Sequence, residues 1–146
     1  IGMEQVQNKK RIIGTVIGSA AGLILVVLIQ QLFFKAPAFD KMLVKVADEM
    51  NANCPVMVDS ETRLDNAVAM PGNIFQYNYT LVNLVKDSIS IQDFEEYMKP
   101  HIINNAKTNP DLKLFRDNKV TMNYYYKDRN GIFVSKISIP PDQYSE

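Results

Sequence analysis

The chain has 146 residues, with 16 basic and 16 acidic side chains, one Cys and one His. This length accommodates one ordinary domain plus an appendage. A hydrophobic content of 47% excludes a disordered chain. The single Cys excludes an intramolecular disulfide, the single His excludes a multi-His metal site, and the balanced charge excludes a strongly basic nucleic-acid-binding protein. We therefore predict no cofactor, no metal and no nucleic-acid partner.

An uncharged apolar run extends over residues 12–34 and reads IIGTVIGSAAGLILVVLIQQLFF. Because about 20 apolar residues cross a bilayer core as a helix, we predict a transmembrane helix here. A cleaved signal peptide is the alternative, but its apolar region is about 7–15 residues long. The basic residues that precede the run favour a cytoplasmic tail over residues 1–11. A linker over 35–38 and an extracytoplasmic domain over 39–146 would follow.

Three glycines in this run repeat at every fourth position, at Gly14, Gly18 and Gly22. On a helix these positions share one face, where small residues let a second helix approach closely. The stripe predicts association in the membrane, either with a second copy or with another membrane protein. The alternative is that glycine is simply common in membrane helices.

The first half of the soluble part predicts a helix followed by a hairpin. Apolar residues recur at three- and four-residue spacing over 39–50, which is typical of an amphipathic helix. Residues 62–69 are compatible with a strand, and Pro71 with Gly72 indicates a turn. Apolar and polar side chains then alternate over 74–84, which predicts a second strand.

The second half repeats this order. Ser90 is a helix N-cap candidate, and an apolar stripe continues from it to Ala106, with Pro100 predicted to kink or divide the helix. Strands are predicted over 120–127 and 132–139, joined by a turn that ends in Asn-Gly. The fold class is therefore α+β, a helix–hairpin–helix–hairpin domain with an antiparallel sheet of about four strands.

Tyrosines on the predicted strands are the first candidate binding residues. If helices cover one face of the sheet, Tyr125 projects from the other, where an open aromatic face can bind a peptide, a glycan or a protein. The alternative is that aromatic residues favour strands and pair across them. The candidates are Tyr77, Tyr79 and Tyr125.

A polar segment, residues 59–65, holds the second set of candidates. Asp59, Glu61, Arg63 and Asp65 lie close together in the sequence, a pattern that suits a polar ligand or the paired carboxylates of a hydrolase. The spacing does not match a calcium loop. A structural role for Arg63, bridging carboxylates at a strand start, and a solvated turn are the alternatives.

Common catalytic motifs are missing from the sequence, so we predict a protein that is not an enzyme and assign no catalytic residue. Cys54 and His101 would form the sole Cys–His pair for thiol catalysis. Cys54 ends a predicted helix instead of starting one, so no helix dipole lowers its pKa.

Residues 53–81 contain the stretches Asn-Cys-Pro-Val-Met-Val-Asp and Phe-Gln-Tyr-Asn-Tyr-Thr-Leu. This part of the chain resembles a family of small, uncharacterised bacterial membrane-anchored proteins with one N-terminal transmembrane helix. The later stretches Asn109–Leu112 and Arg116-Asp117 fit the same resemblance. The resemblance implies a bacterial envelope protein and carries over no catalytic residue. The expected localisation is the bacterial inner membrane, single-pass, with a periplasmic domain.

The leading hypothesis is a non-enzymatic accessory protein of the cell envelope. Its domain would bind a protein partner or an envelope ligand through the sheet face or the 59–65 segment, and its membrane helix would associate through the glycine stripe. One alternative is a membrane-tethered hydrolase that uses Asp59, Glu61 and Asp65. Another is a self-assembling structural membrane protein.

Overall fold

The computed structural model describes residues 39–145, in which four helices accompany a five-stranded sheet. The predicted tail over 1–11, transmembrane helix over 12–34 and linker over 35–38 lie outside the described residues, as does the glycine stripe. Within 39–145 no helix is long and apolar enough to span a membrane.

The first half of the domain contains helix α1 over residues 39–51 and three strands, β1 (Val56–Met57), β2 (Thr62–Met70) and β3 (Ile74–Leu81). Leu43 and Ala47 lie one helical turn apart on α1 and are buried. Gly72 and Asn73 turn the chain between β2 and β3 with φ of 86° and 62°, a backbone conformation that glycine and asparagine tolerate best.

Helix α2 (Ile91–Thr108) and helix α3 (Lys113–Asp117) carry the chain from β3 to β4 (Thr121–Asp128). Ser90 caps α2, because its hydroxyl accepts the N–H of Asp93. Pro100 lies inside α2 and does not divide it.

The predicted antiparallel sheet is wrong at its centre, where β3 and β4 are parallel. Parallel neighbours need a long crossover connection, which α2 and α3 supply. The hairpin signals that led to the antiparallel prediction define only the pairing within each half of the domain.

Strand β5 (Phe133–Ile139) and helix α4 (Pro141–Tyr144) complete the fold. The strands are ordered β1-β2-β3-β4-β5, so the sheet has five strands and not the predicted four. The additional strand is β1, whose two residues pair with Leu64 and Arg63 of β2. The predicted order of helix, hairpin, helix and hairpin is otherwise confirmed.

Helices α2 and α3 pack against one face of the sheet. Phe94 of α2 packs on Tyr126 with ring centres 5.1 Å apart, and Phe115 of α3 packs on Phe75 at 4.9 Å. We call this side the helix-covered face. Its buried strand residues, which form most of the core, are Leu64, Ala67, Phe75, Tyr77, Leu81, Met122, Tyr124, Tyr126, Ile137 and Ile139.

The last residue of α1 closes part of the outer edge of β2. Asn51 Nδ2 donates to the Ala67 carbonyl at 2.8 Å, and the Ala67 N–H donates to Asn51 Oδ1 at 2.7 Å. This one amide gives Ala67 the two hydrogen bonds that a neighbouring strand would give. It satisfies edge groups that β1 is too short to reach.

We predict that Asn51→Ala lowers the free energy of unfolding by about 1–3 kcal/mol, because both backbone groups of Ala67 lose their partner. Urea denaturation followed by circular dichroism measures the change. Asn53→Ala is the matched control, since exposed Asn53 makes a single long bond of 3.5 Å, to the Glu49 carbonyl. Equal stability of the Asn51 variant and the wild type would contradict the capping role.

Asp128 holds the β4–β5 turn together. Its carboxylate is fully buried and accepts the backbone N–H groups of Lys86, Asn130 and Ile132 at 3.0, 2.8 and 2.9 Å. The bond from Lys86, then those from Ile132 and Asn130, outweigh burial and lower the pKa of Asp128. A carboxylate with a lowered pKa stabilises the fold above its ordinary pKa of about 3.9, and this contribution is lost as the pH falls through the folded value.

Asp128→Asn should therefore lower the melting temperature at neutral pH, since its amide group cannot accept all three N–H groups. The difference in melting temperature between the variant and the wild type should become smaller in acid, because the wild-type carboxyl becomes protonated there. Thermal melts across an acidic pH series test this, with the exposed Asp87→Asn as control. A deficit that stays constant with pH would argue against the carboxylate as its cause.

Candidate binding surface on the open sheet face

The strand register aligns a second set of side chains on the side of the sheet opposite α2 and α3. Thr80 pairs with Arg63 on one side and with Lys127 on the other. A β-bulge between Leu64 and Asn66 turns Asp65 to the same side as Asn66. We call this surface the open face. Its residues are Arg63, Asp65, Asn66, Val68, Met70, Ile74, Gln76, Asn78, Thr80, Thr121, Asn123, Tyr125, Lys127, Phe133, Lys136 and Ser138.

Asp65 is the centre of a polar network on the open face. Its carboxylate accepts Arg63 Nε at 2.6 Å and Thr80 Oγ1 at 2.5 Å, and Lys127 Nζ lies 3.8 Å away. Burial acts to raise the pKa of Asp65, but the bonds from Thr80 and Arg63 and the charges of Arg63 and Lys127 together lower it. Asp65 is therefore a carboxylate already neutralised by its neighbours and not a free acid or base.

Side-chain amides order the middle of the open face. Gln76 Nε2 donates to Asn78 Oδ1 at 2.9 Å, and Asn78 Nδ2 donates to Asn66 Oδ1 at 2.6 Å. In the same cross-strand row as Gln76, Ser138 Oγ donates to Asn123 Oδ1 at 2.7 Å. These bonds hold the side chains in one arrangement, which would reduce the ordering cost of binding.

An aromatic pair and a surplus of positive charge complete the surface. Tyr125 and Phe133 lie with ring centres 5.0 Å apart, and Phe133 is 44% exposed. Lys136 pairs with Tyr125 across β4 and β5. Three cations and one carboxylate give the open face a net charge of +2. Such a surface suits an anionic partner with some apolar area.

The structure places two of the three candidate tyrosines elsewhere. Tyr77 and Tyr79 lie on the helix-covered face, where they stack with Tyr124 at 5.1 and 6.4 Å. Burial raises the pKa of both, and it raises the pKa of Tyr124 to about 12. Tyr77 is 7% exposed, so it packs the core, whereas half-exposed Tyr125 is the one candidate tyrosine on the open face.

The candidate residues of the 59–65 segment do not come together in one place. Asp59 Oδ1 accepts the backbone N–H groups of Glu61 and Thr62 at 2.8 Å each, which shapes the turn before β2. Glu61 accepts Asn83 Nδ2 at 3.0 Å. Arg63 and Asp65 alone in this segment belong to the open face. Within 39–145 no cluster of three or more His, Cys, Asp or Glu residues is placed to hold a metal.

Cys54 and His101 have separate partners. Cys54 Sγ donates to the Met50 carbonyl at 3.4 Å, and burial raises the pKa of its thiol. His101 packs against Tyr97 on α2, with ring centres 4.8 Å apart. A thiol with a raised pKa is a poor nucleophile, so these contacts indicate structural roles.

Sequence reasoning missed Thr80, Lys127 and Lys136. Lys127 and Tyr125 are two positions apart on a predicted strand, so alternation alone indicated a shared face. The contact between Lys127 and Asp65 had no sequence signal, because it depends on the parallel pairing of β3 with β4.

A family model described as Domain of unknown function (DUF8479) matches residues 38–132. Both stretches that carry the family resemblance, 53–81 and 109–117, lie inside this match. No curated protein matches the chain. The match says nothing of the membrane anchor that the resemblance implied.

Several solved structures have the same fold. A candidate secreted protein from Pseudomonas aeruginosa is 13% identical, with a TM-score of 0.64 over 75% of this chain and 95% of that chain. The type II secretion system pilotin AspS from Vibrio cholerae is 10% identical, with a TM-score of 0.60 over 77% and 97%. The type 2 secretion system pilotin EpsS from Vibrio vulnificus is also 10% identical, with a TM-score of 0.60 over 77% and 96%.

These findings correct the expected localisation. A single-pass protein of the bacterial inner membrane with a periplasmic domain was the prediction, and the comparison with solved structures contradicts it. A candidate secreted protein has the same fold. The apolar run that led to the prediction, 12–34, lies outside the described residues.

Thr80→Val should lower the free energy of unfolding by about 1.5–3 kcal/mol, because Asp65 loses a hydrogen bond to a charged acceptor. Thr121→Val is the matched control, on the open face of the adjacent strand β4, and should change stability by less than about 0.5 kcal/mol. Chemical denaturation of both variants gives the comparison. Equal losses in the two would mean that the network around Asp65 adds nothing to stability.

Proposed function

The chain belongs to the DUF8479 family, and from that premise we propose that it is a non-enzymatic accessory protein of the bacterial cell envelope. In this proposal its α+β domain binds a protein partner through the open face. The observation that carries the proposal is the combination, on one ordered surface, of three cations, an already neutralised carboxylate and the Tyr125–Phe133 pair.

The shared fold supports an accessory role. Two of the similar solved structures are components of type II secretion systems, and each is matched over almost its whole length. At 10% identity this likeness concerns the fold alone, so residue roles do not transfer from those proteins.

The geometry favours binding over hydrolysis. A hydrolase that used Asp59, Glu61 and Asp65 would need two of these carboxylates in one cleft. Instead, each carboxylate has its own hydrogen-bond partners. Asp59 accepts backbone N–H groups of its turn, and Glu61 accepts the side-chain amide of Asn83. Asp65 accepts the side chains of Arg63 and Thr80. The open face also carries the feature expected of an interaction surface, exposed aromatic area next to Lys136, a cation with no ion pair among the described residues.

Open-face substitutions should reduce recovery of the partner without unfolding the domain. We expect Tyr125→Ala combined with Lys127→Gln to lower the yield of a protein crosslinked to the chain in its native host at least about tenfold, as loss of an aromatic anchor and a charge does at other interfaces. Quantitative mass spectrometry after mild purification measures the yield. Thermal melts confirm that both proteins are folded.

Tyr97→Ala is the matched control, because Tyr97 is an aromatic residue on α2 that is 67% exposed. The proposal predicts wild-type yield for this variant. It is refuted if the Tyr125 and Lys127 double variant retains the partner, or if both variants lose it equally.

A further inference from the structure

Strand β5 ends the sheet, and its outer edge has no partner within residues 39–145. All strand pairs of β5 are made with β4. Among the described residues, no backbone hydrogen bond from another segment reaches the outer groups of Phe133–Ile139. A free edge of seven residues exposes N–H and C=O groups that can pair with one more strand.

The charge on this edge disfavours a second copy of the same strand. Lys136 is the central residue of β5 and is exposed. If β5 paired with another β5 in full antiparallel overlap, the two Lys136 side chains would lie directly opposite each other. Like charges at such positions are destabilising, and lysine on edge strands is a common protection against self-pairing. A strand with a carboxylate at this position meets no such barrier.

Resting on the proposed function, we infer that the protein partner supplies an extended acidic segment that adds to the free edge of β5 as a sixth strand. In such a strand alternate side chains would lie on the open face. A carboxylate opposite Lys136 would form a cross-strand ion pair, and Lys127 lies one strand further in. The exposed ring of Phe133 would contact a neighbouring apolar side chain.

The intervening side chains of the added strand would point toward α2. Phe94 packs on Tyr126 of β4 and Glu95 accepts Ser135 Oγ of β5, so α2 lies over these two strands. Glu96 and Lys99 follow within about one helical turn of Glu95 and are exposed. This part of α2 has both charge signs, so the preference for acidic residues arises from the open face.

The free edge distinguishes a polypeptide from an anionic glycan. Both could satisfy the cations and stack on Tyr125. A polypeptide strand alone presents donors and acceptors at the spacing of the β5 backbone, which gives main-chain affinity in addition to side-chain selection.

A synthetic peptide that alternates Glu and Val tests this inference on the full chain. Amide hydrogen exchange should slow in β5 when the peptide is added, because the outer-edge N–H groups become bonded. Lys136→Glu should lower the affinity for this peptide about tenfold or more, and the variant should bind a Lys–Val peptide more tightly instead. Controls are Lys107→Glu, an exposed position on α2, and a Glu–Val peptide with a central proline, which cannot pair along its length.

Four results would overturn strand addition. Three of them are unchanged peptide affinity in Lys136→Glu, protection confined to segments other than β5, and equal binding of the anionic glycan alginate without protection of β5. Concentration-dependent dimers with a protected β5 would assign the edge to a second copy and would also overturn it. In each case the proposed function stands if partner recovery still depends on Tyr125 and Lys127, and falls if it does not.

Discussion

The parallel pairing of β3 with β4 is the constraint on which the rest of the domain depends. It joins two halves that local signals could build separately, and its register sets Thr80 between Arg63 and Lys127. Asp65 can hold both cations because of this register and the bulge that turns it to the open face. The same pairing stacks Tyr77 on Tyr124 and so forms the centre of the core. The core and the open face are thus two sides of one strand pair.

The division of aromatic residues between the two faces explains why composition alone is a poor guide to the site. Tyr77, Tyr79, Tyr124 and Tyr126 stack under the helices, where burial raises the pKa of their hydroxyls. Tyr125, in the midst of the same run, lies on the opposite face beside Phe133. The open face is consequently polar, with charge and one aromatic pair, which fits recognition of another macromolecule better than enclosure of a small substrate.

The two edges of the sheet differ in how their backbone N–H and C=O groups are satisfied. At the β2 edge, Asn51 supplies the hydrogen bonds of a missing strand, and β1 covers two further residues. At the β5 edge, no residue within 39–145 supplies such bonds, and the central side chain is a lysine. One edge is therefore closed by the chain itself, whereas the other is protected from its own copy by charge and remains available to a strand of opposite charge.

By itself the sequence determined the α+β class, the order of helix, hairpin, helix and hairpin, the Ser90 cap and the alternation that separates Tyr125 from Tyr124 and Tyr126. These are local properties, set by side-chain periodicity and turn residues within a few positions. It did not determine the fifth strand, because the two residues of β1 are too short for a period, or the parallel centre of the sheet. It also could not assign Tyr77 and Tyr79 to the core or join Asp65 to Lys127. Only the tertiary structure decided these, since strand register brings together residues far apart in the chain and no local pattern encodes which distant strands become neighbours.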